Sequence, residues 1–237
     1  MANFIVRQIP NSITCCNLIS GCIAIHAAFQ GNYYGAFIFI IIGAVFDFFD
    51  GMTARLLKVS SPIGKELDSL ADVVTFGVSP SAMLFHFFNL VSYPEFLEPI
   101  KHIIPYSAFL IAAFSALRLA KFNLDTRQTS SFIGVPTPAN TLFWASIIVG
   151  YQDFLTSDCF NALYLIAAIL LSCYLLIAEL PLFALKFKNW SWKDNKIKYI
   201  FVLSSIIFII FLGVGCFAAI IAWYILLSLL ANKCSSH

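Results

Sequence analysis

Residues 47–72 read DFFDGMTARLLKVSSPIGKELDSLAD, and this stretch places four aspartates inside an otherwise apolar chain. Transferring one carboxylate into hydrocarbon is unfavourable unless a counter-charge accompanies it, and four carboxylates multiply that cost. The segment therefore predicts a site where positively charged ligands neutralise the acids. The four residues are Asp47, Asp50, Asp68 and Asp72.

The composition around this segment is that of a membrane protein. Of the 237 residues, 60% are hydrophobic and 11% are charged, whereas charged residues make up about 25% of a soluble domain. Because apolar segments run end to end with short joins, we expect one integral membrane domain spanning 1–237 and an all-α polytopic fold. The net charge of +2 gives no indication of a nucleic-acid partner.

Eight apolar segments approach the length of about 20 residues that a membrane-spanning helix needs. The first six predict a catalytic core over about 10–181, and the last two a C-terminal helical hairpin over about 197–231. A tight Gly-Val-Gly join leaves open whether those last two are separate spans. The expected spans lie near 12–29, 33–56, 67–91, 102–122, 137–151, 160–181, 197–213 and 215–231.

Basic residues are distributed asymmetrically over these spans. With the N-terminus in the cytoplasm, thirteen of the 14 Lys and Arg residues fall on the cytoplasmic side and only Lys101 falls outside. Cytoplasmic loops of membrane proteins are enriched in Lys and Arg. We therefore expect a multi-pass protein of the inner (plasma) membrane, with both termini and the aspartate site facing the cytoplasm.

The spacing of the aspartates predicts that they converge. Residues three or four apart share one face of a helix, so each of two helices presents a pair of carboxylates. A loop over 57–66, with Gly64 just before the next span, folds the second helix back against the first. The four acids can then meet in a cavity open to the cytoplasm.

Carboxylate oxygens favour Mg²⁺, Mn²⁺ or Ca²⁺ over zinc. Two such cations are suited to phosphoryl transfer, because they neutralise the phosphates and stabilise the entering and leaving oxygens. Gly51 lets a nucleotide or pyrophosphate approach the backbone, and the small Ala54 lies on the next turn. The guanidinium of Arg55 can pair with a phosphate.

Written as D-x2-D-G-x2-A-R-x8-G-x3-D-x3-D, the segment resembles the signature of the CDP-alcohol phosphotransferase family at every fixed position. The resemblance implies a bundle with a six-helix core, often a homodimer, that transfers a phosphatidyl or similar group from a CDP-linked donor and releases CMP. It also implies two divalent cations, Mg²⁺ or Mn²⁺, held by Asp47, Asp50 and Asp68. Asp72 would complete the metal site and act as the general base.

Three further stretches resemble the serine-using, membrane-embedded bacterial branch of that family: PNSITCCNLISG at 10–21, RLAKFN at 118–123 and FIGVPTPA at 132–139. Relatives that use glycerol phosphate usually carry Arg where Asn17 stands. The resemblance thus implies CDP-diacylglycerol and L-serine as substrates, in contact with membrane lipids. The other type of serine enzyme, with paired H-x-K motifs, is not matched.

By the same resemblance, the CDP-lipid contacts Asn11, Thr14 and Ser61, together with Gly51, Ala54, Arg55 and Gly64. The alternative for Asn11, Thr14 and Ser61 is helix capping by short polar side chains. Arg118 and Lys121, with Asn123 as a weaker candidate, could bind the serine carboxylate. The alternative for the two basic residues is a role as membrane anchors.

Other functions remain open at this point. The same chemistry could use glycerol 3-phosphate, inositol phosphate or choline, although a phosphorylated acceptor favours more basic residues than this chain offers. A cation-coupled transporter would show inverted repeats and paired broken helices, and the acid-rich hairpin has no second copy in the sequence. A non-catalytic membrane scaffold is the remaining alternative.

Overall fold

The computed structural model describes residues 4–59, 61–124, 132–182 and 192–235, and these residues form a bundle of α-helices. Basic residues of the 125–131 and 183–191 stretches, which contribute to the charge asymmetry, lie outside the described residues. The helices are α1 (Phe4–Phe29), α2 (Tyr33–Leu56), α3 (Pro62–Asp72), α4 (Ser79–Phe87), α5 (Phe109–Leu124), α6 (Thr137–Gly150), α7 (Gln152–Leu155), α8 (Ala162–Ile177), α9 (Trp192–Leu212) and α10 (Cys216–Ser235).

Helices α3 and α4 form one continuous rod, because a π-helical segment, Val73–Val78, joins them. Two 3-10 turns, Glu95–Ile100 and Ile104–Ala108, lead into α5. The short strands β1 (Phe132–Ile133) and β2 (Pro181–Leu182) pair antiparallel, with Phe132 opposite Leu182. The predicted all-α architecture is therefore confirmed, with one two-residue strand pair added.

Five helical segments of the described chain are long and apolar enough to cross a bilayer, which confirms a polytopic membrane protein. The shorter α8 is also apolar. The total of eight spans stays a prediction. The five segments are Gln8–Phe29, Tyr33–Leu56, Pro62–Phe87, Ile104–Leu124 and Asn195–Ala231.

The last of these segments is two helices. The chain turns at Gly213, whose φ of +52° favours glycine. The indole of Trp223 donates to Ser204 Oγ at 2.8 Å, and these residues are about equally far from the turn. Helices α9 and α10 therefore form an antiparallel hairpin.

Small residues bring α1 and α2 against the π-helical segment. A Cβ at Gly43 would lie 2.6 Å from Thr75 Cγ2, and one at Gly21 would collide with Thr75 Oγ1. The same hydroxyl donates to the carbonyl of Asn17 at 3.0 Å. Close approach at small residues is a common way for helices to associate in membranes. Here it fixes the position of the π-helical segment that follows Asp72.

Two helices begin before the expected spans. Helix α1 begins at Phe4 rather than near residue 12, so Asn11 and Thr14 lie inside it. Helix α3 begins at Pro62 rather than near 67, because Ser61 caps it by accepting from the backbone N–H of Gly64 at 2.9 Å. Serine as N-cap followed by proline is a strong start signal, so Gly64 belongs to the first helical turn and not to the loop.

Candidate active site

The ends of α2 and α3 bring three of the four aspartates together. One carboxylate oxygen from each of Asp47, Asp50 and Asp68 lies within 4.8 Å of the others. Asp50 is 6% exposed, and the other two are half-buried. The i,i+3 spacing on α2 and the antiparallel return of α3 thus produce the convergence that the sequence predicts.

Asp72 lies one turn further along α3 and is 9% exposed. The Asn17 side chain donates from Nδ2 to Asp72 Oδ1 at 3.3 Å. Asp72 therefore borders the three clustered carboxylates and is oriented from α1.

Within the described residues, no ion pair joins the acid cluster to a basic side chain. The guanidinium of Arg118 is 8% exposed and attracts Asp72 from beyond ion-pair distance. It lies over the Phe122 ring, 5.3 Å from the centroid. The protein thus leaves most of the negative charge of the cluster for ligands to neutralise.

The donor atoms fit a hard divalent cation. Asp68 Oδ1 is buried and has no hydrogen-bond partner among the described residues. Asp50 accepts a hydrogen bond from Thr14 Oγ1 to Oδ2 at 2.6 Å, which orients the carboxylate. An all-carboxylate set with unpartnered oxygen suits Mg²⁺-like ions, so these residues could hold a metal.

A cavity of about 260 Å³ opens beside the acid cluster. Its wall contains six of the seven residues predicted to contact the CDP-lipid, together with Asp50 and Asp68. Residues from α1, α2 and the start of α3 therefore meet around one space. The cavity is lined by Pro10, Asn11, Thr14, Asp50, Gly51, Ala54, Val59, Ser61, Gly64, Lys65 and Asp68.

Two glycines in this wall differ in what surrounds them. A Cβ at Gly64 would lie 2.9 Å from Asn11 Oδ1 and 3.0 Å from Ser61 Oγ, so both side chains would have to shift to admit it. A Cβ at Gly51 would meet only the Arg55 guanidinium, at 3.5 Å. Gly51 therefore has room for a Cβ, and the guanidinium of Arg55, the seventh predicted residue, lies over it.

The helix starts show which of Asn11, Thr14 and Ser61 is a helix cap. Asn11 and Thr14 are not N-caps, because α1 begins at Phe4. Instead they line the cavity, and Thr14 binds Asp50. Ser61 is an N-cap and also a wall residue, so for this residue both interpretations hold.

The three candidates for serine binding occupy different environments. Arg118 is buried beside Asp72. Lys121 is exposed on α5. Asn123 donates from Nδ2 to Ser69 Oγ at 2.8 Å, so its side chain links α5 to α3. Arg118 interacts electrostatically with Asp72 without forming an ion pair.

Two site residues were missed as candidates. Asn17, which binds Asp72, lies one helical turn after Thr14, and this i+3 spacing was the available signal. Lys65 lines the cavity but occupies a variable position of the aspartate pattern, so the pattern gave it no weight.

The chain is similar to proteins of known class. Residues 7–177 match the family model described as CDP-alcohol phosphatidyltransferase. A Bacillus subtilis protein named CDP-diacylglycerol–serine O-phosphatidyltransferase is 42% identical over 133 residues, 56% of this chain and 71% of the relative. Two proteins of the same name match over more of the chain. The one from Methanocaldococcus jannaschii is 32% identical over 84% of this chain and 82% of the relative. The one from Helicobacter pylori is 27% identical over 94% of each.

Proposed function

This chain belongs to the CDP-alcohol phosphatidyltransferase family, and we propose that it transfers the phosphatidyl group of CDP-diacylglycerol to L-serine, forming phosphatidylserine and releasing CMP. The observation that carries the proposal is the convergence of Asp47, Asp50 and Asp68 beside the cavity between α1, α2 and α3. The names of the relatives support serine as the acceptor.

The cavity is proposed to seat the nucleotide end of the donor. Asn11, Ser61 and Thr14 supply polar groups, while Gly51 and Ala54 leave room for the cytidine and pyrophosphate. Arg55 can pair with a phosphate at the cavity edge through its planar guanidinium. The acyl chains of the donor would remain in the surrounding lipid, because the bundle is membrane-embedded.

The carboxylates of Asp47, Asp50, Asp68 and Asp72 are proposed to hold two divalent cations, Mg²⁺ or Mn²⁺. When bound, such ions neutralise the pyrophosphate and stabilise the entering and leaving oxygens. Thr14 contributes by fixing the Asp50 carboxylate through its 2.6 Å hydrogen bond.

Asp72 is proposed as the general base. It accepts the proton of the serine hydroxyl while the hydroxyl oxygen attacks the β-phosphorus of the donor. The bond from that phosphorus to the bridging oxygen then breaks, and CMP departs with the electron pair. Asn17 orients the base through its hydrogen bond to Oδ1. General-base assistance contributes typically about 10²–10⁴-fold to a rate.

Serine recognition is proposed to centre on Arg118, since its guanidinium lies beside the base and can pair with the serine carboxylate. Lys121 and Asn123 remain proposed contributors, although Lys121 is exposed and the Asn123 side chain bonds to Ser69.

The setting of the enzyme is also a proposal. Its charge asymmetry favours the inner membrane, with both termini and the aspartate site facing the cytoplasm. The core over about 10–181 would carry the chemistry, and the α9–α10 hairpin would pack at its periphery. The family resemblance supports a homodimer.

The test is an acceptor panel. Purified protein receives CDP-diacylglycerol, Mg²⁺ or Mn²⁺ and, in parallel, serine, glycerol 3-phosphate, inositol or choline, and CMP release is followed. We expect release with serine and, for Asp72→Asn, a rate about 10²–10⁴-fold lower. Release with glycerol 3-phosphate but not with serine would show that the acceptor is wrong, and release by Asp72→Asn at the normal rate would exclude Asp72 as base.

A further inference from the structure

We propose that Lys65 binds the phosphate that links the donor to cytidine, the group that leaves as CMP. This inference rests on the proposed function and deepens it. It assigns a phosphate-binding residue in addition to Arg55. It also makes the charge of CMP, rather than its base, the feature that Lys65 recognises.

The first support is position. Lys65 is the one basic residue among the eleven that line the cavity, all of which lie within the described chain. Asp50 and Asp68 line the same space. The other charged side chains of the wall are carboxylates, so Lys65 supplies the positive charge that a phosphate requires from the wall itself.

The second support is that the ammonium group has unused donors. Lys65 Nζ donates to the backbone carbonyl of Asn123 at 3.3 Å, an exposed and long hydrogen bond. An ammonium group has three donors, and Lys65 forms no ion pair with any described residue. Binding a phosphate would therefore break at most one weak hydrogen bond of Lys65, the one to the Asn123 carbonyl.

The third support is the helix on which Lys65 sits. It lies in the first turn of α3, and its backbone N–H bonds to the carbonyl of the capping residue Ser61 at 3.2 Å. The N-terminus of a helix carries partial positive charge, which favours anions nearby. The ammonium group of Lys65 and the N-terminus of α3 therefore both attract a phosphate in the cavity.

The experiment compares two ligands that differ by one phosphate. The full-length protein, in nanodiscs with Mg²⁺, is titrated calorimetrically with CMP and with cytidine. For Lys65→Met we expect CMP affinity to fall about tenfold, the loss of a hydrogen bond to a charged group, and cytidine affinity to stay within about twofold. Lys65→Arg, which keeps the charge, should retain most of the CMP affinity.

Lys58→Met is the matched control, because Lys58 is an exposed lysine of the loop after α2 and does not line the cavity. It removes the same charge and should leave CMP affinity unchanged. A thermal melt of each variant separates binding from folding, since a merely structural Lys65 would lower Tm and weaken both ligands together.

The outcomes are distinct. If wild-type protein binds CMP and Lys65→Met binds it equally well, Lys65 does not contact the phosphate and the proposed function stands. Equal losses for CMP and cytidine also overturn the inference. If wild-type protein binds neither ligand, the proposed function fails together with the inference.

Discussion

The two ends of the α2 helix differ in whether their polar side chains have partners within the protein. At its start, Tyr33 Oη and His86 Nδ1 share a 2.8 Å hydrogen bond, and nearby Glu98 and Lys101 form an ion pair at 2.8 Å. At its other end, Asp47 and Asp50 meet Asp68 with no ion pair in the described chain.

This difference separates structural polar groups from functional ones. Polar side chains with a purely structural role find partners within the protein, because burying a polar group without a hydrogen-bond partner is costly. A carboxylate cluster without protein counter-charges is unfavourable by itself and becomes favourable when a ligand supplies the charge. The acid end of α2 therefore suits a charged ligand.

The largest expected effect comes from Asp68→Asn, which removes one charge from the cluster. Without metal the variant should melt a few degrees higher than the wild type, because repulsion between carboxylates is relieved. Loss of a metal ligand should lower the transfer rate by about a thousandfold, since metal ions stabilise transition-state charge by several kcal/mol. Melting with EDTA and CMP release with Mg²⁺ measure the two effects.

Glu66→Gln is its control, because Glu66 is an exposed acid two residues away and lies outside the cavity wall. It should change neither measurement appreciably. A lower melting temperature for metal-free Asp68→Asn would contradict the claim that the cluster is unfavourable without a ligand.

A smaller effect is expected from Gly51→Ala. Its Cβ meets only the Arg55 side chain, at 3.5 Å, so the fold should tolerate it. A substrate that approaches Gly51 would meet the new methyl group, and we expect KM for CDP-diacylglycerol to rise about tenfold, or about 1.4 kcal/mol, with Tm unchanged.

Gly64→Ala provides the contrast, because its Cβ would lie 2.9 Å from Asn11 Oδ1. This variant should lose both stability and activity. Steady-state kinetics and thermal melts of both variants are the measurement. An unchanged KM in Gly51→Ala would show that the donor does not approach this backbone.

The smallest effect belongs to the other end of the molecule. Glu98→Gln breaks the Glu98–Lys101 pair, whose side chains are 49% and 57% exposed. Exposed pairs contribute about 0–1 kcal/mol, so transfer rates should stay within about twofold and Tm should hardly move. Activity that depends strongly on Glu98 would mean that the two ends are not separable in function.

Much of the site was predictable because it is local. Asp47 with Asp50, and Asp68 with Asp72, are spaced by helical periodicity alone, and their antiparallel return follows from a short loop. Prediction of the helix starts was poorer. The N-cap signal at Ser61 was readable but was considered only as an alternative, and the start of α1 at Phe4 precedes the apolar run used to place it.

Other features depend on contacts between residues distant in the chain. The Asn17–Asp72 hydrogen bond joins residues 55 positions apart. The packing of Thr75 against Gly21 and Gly43 involves three helical segments. Hydropathy and motif spacing carry no information about such pairings, so the orientation of the base and the packing around the π-helical segment were not predicted.

The sequence by itself determined the membrane-embedded helical class and the convergence of Asp47, Asp50 and Asp68, because hydropathy and helical periodicity act over short distances. The family resemblance, not spacing, implied most of the cavity wall. Only the tertiary structure decided that the acids lack a protein counter-charge, that Thr14 and Asn17 orient two of them, and that Lys65 faces the same cavity. Burial, hydrogen bonding and charge balance are properties of packed helices, and they are set when α1, α2 and α3 come together.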